Sequence, residues 1–124
     1  MRKLGLLPAA LALALAGCQS VPIAEQDLVA VGAEPFWSVE VSPAELTYAT
    51  PANLLGISVP AVRKADPAGI TWTAQLAGQP FTLRVEPGAC RDGMSNTRYP
   101  YTAILTIGGA VRRGCARNGP ERDR

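Results

Sequence analysis

The sequence contains no histidine. That absence removes Ser-His-Asp and Cys-His nucleophile systems. It also removes imidazole acid–base chemistry near neutral pH and histidine-ligated metal sites. Lysine is scarce, with Lys3 and Lys64 the two in the chain. There is no glycine-rich loop followed by Lys-Ser/Thr, so a P-loop phosphate site is excluded. The apolar run Leu4–Leu15 is shorter than the about 20 residues that a membrane-spanning helix needs. Aromatic residues are few, two Trp, three Tyr and two Phe, and in so small a domain most are expected in the core.

The basic start Met1-Arg2-Lys3, the short apolar run and the small residues after it follow the secretion-signal pattern. Leu15-Ala16-Gly17-Cys18 resembles the lipobox of bacterial lipoproteins. The resemblance implies removal of residues 1–17, acylation at Cys18, and anchoring by several acyl chains, where a single chain holds only marginally. Gln19 stands where such lipoproteins carry Asp for inner-membrane retention, which implies an outer-membrane lipoprotein facing the periplasm in a Gram-negative cell, and a lipid-anchored surface protein otherwise. Residues 18–27 read as the lipidated cysteine and a polar tether, 28–116 as one β domain, and 117–124 as a polar tail.

The formal charge of +2 belongs to the precursor. Loss of Arg2 and Lys3 brings the chain to neutrality, which leaves no electrostatic case for a nucleic-acid partner. Arg112, Arg113, Arg117, Arg122 and Arg124 gather near the C-terminus. They read as a solvated tail, the alternative being a weak contact with an anionic envelope surface.

There are three cysteines, and an odd number in a secreted chain needs a reason. Lipidation accounts for Cys18. Cys90 and Cys115 remain, a pair in a compartment where disulfides persist. For the loop they would close, the chain-entropy model assigns roughly 3–4 kcal/mol, a large share of the stability of a small domain.

From Leu28 onward the apolar pattern has period two. Trp37, Val39 and Val41 alternate with Ser38 and Glu40; Ile70, Trp72, Ala74 and Leu76 alternate with Thr71, Thr73 and Gln75; Phe81, Leu83 and Val85 alternate with Thr82 and Arg84. Leu46–Tyr48, Ile57–Val59, Tyr101–Ile107 and Ala110–Ala116 read as further strands, with Pro60 marking an edge or a bulge. Turn signals at Ser42-Pro43, Pro51-Ala52-Asn53, Asp66-Pro67-Ala68-Gly69, Ala77-Gly78 and Gly108-Gly109 separate them. The expectation is an all-β fold: a small antiparallel up-and-down barrel or flattened barrel of seven to eight strands, with one disulfide. Pro87–Pro100 is polar and glycine-containing and reads as one long loop, the kind of segment that carries function.

Two short motifs stand out: Glu34-Pro35-Phe36-Trp37 at the domain entry, and Cys90-Arg91-Asp92-Gly93-Met94-Ser95 followed by Tyr99-Pro100-Tyr101. Together they resemble an uncharacterised family of small bacterial envelope lipoproteins, over roughly Leu28 to Ala116. That resemblance implies one β domain at the cell envelope and supplies no activity. The layout is also similar to META-type domains and membrane-bound lysozyme inhibitors, although the inhibitors' own loop motifs are missing.

Catalysis has few candidates. A Ser95–Lys64 dyad has nothing in the sequence to bring it together. Glu34, Glu40 and Asp92 could supply a carboxylate pair, but an Asp before Gly reads better as a turn-fixing residue. The alternating oxygen ligands of a calcium loop are missing. Met94 suits either a barrel plug or a contact surface. Of Tyr99 and Tyr101, one is expected to pack inward and one to sit at the rim. The reading is a non-enzymatic, lipid-anchored binding module with no cofactor or metal. Its candidate loop residues are Asp92, Met94, Ser95, Tyr99 and Tyr101, and its partner an envelope protein, a cell-wall component or another envelope ligand. The alternatives are a structural or assembly lipoprotein that works by tethering and, last, a carboxylate-dependent hydrolase.

Overall fold

The structure, a computed structural model, describes residues 27–33, 35–91, 93 and 96–119. The lipidation site Cys18, the tether and the tail beyond Gly119 lie outside the described residues. Among the described residues every element is a strand: β1 (Leu28–Gly32), β2 (Trp37–Ser42), β3 (Glu45–Thr50), β4 (Asn53–Pro60), β5 (Val62–Asp66), β6 (Gly69–Leu76), β7 (Gln79–Arg91), β8 (Arg98–Ile107) and β9 (Ala110–Asn118). They form one curled sheet in the order β4-β3-β2-β1-β9-β8-β7-β6-β5, antiparallel throughout. First and last strands pair (Ala30 opposite Ala116), so both ends of the domain are held in the middle of the sheet.

The strand count is nine where seven or eight are expected, and the difference lies at one place. β4 and β5 follow one another with only Ala61 between them, yet β4 pairs with β3 while β5 pairs with β6. They act as one bent strand joining the two edges of the sheet. Counted so, the fold is an eight-stranded up-and-down half-barrel. Pro60, which has no N–H to donate, sits at the bend, and the Ala61 N–H donates to the Ala44 carbonyl at 3.0 Å.

Alternation fills the inside of the curl. Leu28, Trp37, Val39, Leu46, Trp72, Phe81, Leu83, Val85 and Leu105 are all buried within it. Each such side chain contributes about 1.5–3 kcal/mol of apolar burial. Tyr48 meets Phe81 edge to face at 5.5 Å between ring centroids, the geometry the ring quadrupoles favour. On the outer face, Arg84 of β7 holds the end of β5 with two bonds to Asp66, Nη1–Oδ2 2.7 Å and Nη2–Oδ1 3.1 Å, and one to Glu86 at 2.9 Å. Asp66 also accepts the N–H groups of Ala68 and Gly69, which fixes the turn its sequence signals.

The expected long loop Pro87–Pro100 is mostly strand. β7 runs to Arg91 and β8 starts at Arg98, with Cys90 opposite Tyr99 and Arg91 opposite Arg98. A bulge between Pro87 and Cys90 takes up Gly88 and Ala89 and re-aims the strand. Polar composition concealed this because ladder pairing uses the backbone, whatever the side chains. β9 likewise continues through Asn118, so Arg117 and Asn118 belong to the sheet and not to a tail.

Candidate functional site

Cys115 lies on the outward side of β9, next to the inward Ala116, and still is only 1% exposed. Cover comes from the tip of the β7–β8 hairpin. Past its bulge, β7 reaches over β8, and Cys90 is bonded to Cys115 with their Cα atoms 5.6 Å apart. β7 is thereby fastened to β9, a strand it does not pair with.

Between this tip and the turn that follows β1 lies a cleft of about 500 Å³. Its floor is the outer side of β1 and β9, at Val31, Gly114 and Cys115. One wall is the hairpin tip, with Cys90, Arg91 and Tyr99; the other is the β1–β2 turn, with Ala33 and Phe36. Arg113 of β9 lines it as well. Phe36 remains 43% exposed, although its neighbour Trp37 is sealed in the core at 1%. Phe36 of one motif and Cys90, Arg91 and Tyr99 of the other, far apart along the chain, therefore line one cleft.

The candidate residues divide. Tyr99 is in a cleft wall, on β8 and not in a loop. Tyr101, one pair inward along the same strand, packs against the core, and its hydroxyl donates to Asn118 Oδ1 at 3.3 Å. Both tyrosines are half-buried, Tyr101 against the core and Tyr99 in the cleft wall. Asp92, Met94, Ser95 and Glu34 lie outside the described residues. Glu40 is exposed on the outer face of β2 and Lys64 on β5. Among the described residues no group of three metal-ligating side chains occurs.

Sequence reasoning missed Arg91 and Arg113 as cleft residues. Arg91 was legible inside its motif. Arg113 was not, because it stood in a run of arginines that looked uniform. Strand alternation splits that run. Arg112 pairs with the buried Leu105 and so turns inward, where its Nε is buried without a partner; Arg113 turns outward into the cleft. The indole N–H groups of Trp37 and Trp72 are likewise buried, without a partner among the described residues.

Neither the family models, nor the curated proteins, nor the solved structures contain a match to this chain.

Proposed function

We propose that this chain is a lipid-anchored envelope protein whose β domain is a binding module, and that the cleft between the hairpin tip and the β1–β2 turn is where it binds. The observation that carries the reading is the convergence of Phe36 with Cys90, Arg91 and Tyr99, residues of the two sequence motifs, on one cleft. A disulfide holds one wall in place, so binding need not also order that wall. Phe36 gives the second support. Its exposure contributes nothing to folding, whereas an exposed aromatic at a concave site is what recognition uses. The described lining offers guanidinium, phenol and apolar groups, which suit binding.

The test is capture from cells that make the protein. The anchored wild type and a Phe36→Ala/Tyr99→Ala variant, shown by circular dichroism to be folded, are cross-linked in parallel. A ligand or partner recovered with the wild type and lost with the variant supports the reading. Equal recovery with both places binding elsewhere on the domain and contradicts it.

A further inference from the structure

We infer that the cleft takes a small amphipathic anion, one carboxylate or phosphate group carried on an apolar, ring-sized body. This rests on the binding reading above and names the chemistry of its ligand.

The charge comes from two strands. Arg91 on the hairpin tip and Arg113 on β9 both line the cleft. Neither has an ion-pair or hydrogen-bond partner among the described residues. Arg84 shows how this same sheet holds an arginine for structure, with Asp66 and Glu86 placed around it. The two cleft guanidiniums have no such carboxylates in the described lining. Both arginines are exposed, so each keeps its charge in contact with water at the cleft. An anion in the cleft gains charge-assisted hydrogen bonds from them, to which the planar guanidinium fork is suited.

The rest of the lining fixes the remainder of the ligand. Phe36, Val31 and the disulfide present apolar surface, and Tyr99 adds a ring. A bare inorganic anion would leave that surface wet. A wholly apolar ligand would strip water from two guanidiniums without replacing it, which is costly. At about 500 Å³ the cleft falls in the range for small molecules, roughly 300–1,000 Å³. One anionic group with an apolar body satisfies both halves of the lining.

The test uses 15N-labelled protein as isolated from the producing cells, titrated with three probes that share one apolar body. These are 2-naphthoate, 2-naphthyl phosphate and the cation 2-naphthylmethylammonium. The expected result is saturable shifts of the Val31, Gly32 and Gly114 amides with at least one anion, and at least tenfold weaker binding of the cation. An Arg91→Gln/Arg113→Gln variant, with its other resonances unmoved, is expected to bind the anion at least tenfold more weakly. Tighter binding of the phosphate assigns a phosphoryl headgroup, and tighter binding of the carboxylate an acyl or peptidyl carboxylate. Cation binding equal to that of the anions, unchanged affinity in the variant, or no saturable binding of either anion overturns the inference. In that event the cellular cross-linking above still reports, independently, whether the cleft binds anything.

Discussion

The indole of Trp37 lies directly against the backbone of Gly32, its partner across the β1–β2 ladder. A Cβ at Gly32 would run into Nε1 and Cε2, and one at Gly114 would stand 2.9 Å from Cζ2 of the same ring. Two glycines on adjacent strands thus make the flat seat for the largest buried side chain beneath the cleft floor. Gly32→Ala is expected to destabilise the domain by about 2–3 kcal/mol, the upper part of the range for overpacking. Urea denaturation measures it. In a Trp37→Leu background the same substitution should cost at least about 1 kcal/mol less, because the clash is what couples the two sites. Equal costs in both backgrounds would show that the seat does not matter.

Removing the Cys90–Cys115 bridge, which spans a sequence separation of 25, acts on stability and on the cleft together. Cys90→Ala/Cys115→Ala is expected to cost about 3 kcal/mol through the freedom restored to the unfolded chain. It also unfastens the hairpin tip, so amide exchange at Tyr99 and Arg91 should quicken relative to Leu83 in the shared β7–β8 ladder. A stability loss with the tip still protected would mean that the pairing of β7 with β8 alone holds that wall.

Asp66 gives the domain an acid-sensitive clip. Its bonds to Arg84, and then those from Ala68 and Gly69, hold its carboxyl well below the ordinary value of 3.8. A carboxylate lowered in the folded state stabilises fully above its unfolded pKa, and that contribution is lost as pH falls further toward the folded value. The stability gap between wild type and Asp66→Asn should therefore be constant from pH 7 to about 5 and close progressively below about pH 4. Paired denaturation curves across that range measure it. A gap at pH 2 as large as the gap at pH 7 would show that the effect of Asn is not electrostatic.

Ala77 takes a left-handed backbone, φ 52°, beside Gly78 at φ 81° in the two-residue turn between β6 and β7. Positive φ at both turn positions is the type I′ hairpin, for which Asn-Gly is the preferred pair. Alanine is strained there. Ala77→Asn should raise stability by about 0.5–1 kcal/mol and increase the melting temperature, and an unchanged or lower melting temperature would count against the assigned turn.

Much of this fold was written plainly in the chain. Period two at Ile70–Leu76 and Phe81–Val85, with Ala77-Gly78 between them, describes β6, its turn and β7. The Cys90–Cys115 pairing followed from cysteine arithmetic. What the pattern could not show has physical reasons. Val62–Asp66 is exposed along its whole length, so β5 has no buried face to give it a period. The far ends of β7 and β8 pair through backbone groups around a bulge, which leaves no apolar signature. The cleft depends on Arg113 meeting Arg91, a juxtaposition set by the disulfide and by alternation along β9, and neither is visible in a run of arginines.

The most direct test of the binding reading is site-specific photo-cross-linking in living cells. A photoreactive residue is placed at Phe36 in the cleft wall and, separately, at Val62, which is exposed on β5 at a distance along the sheet. The account predicts one dominant adduct from position 36, diminished by Arg91→Gln/Arg113→Gln, and none of that kind from position 62. Matching adducts from both positions, or none from position 36 while the protein is folded, would contradict it.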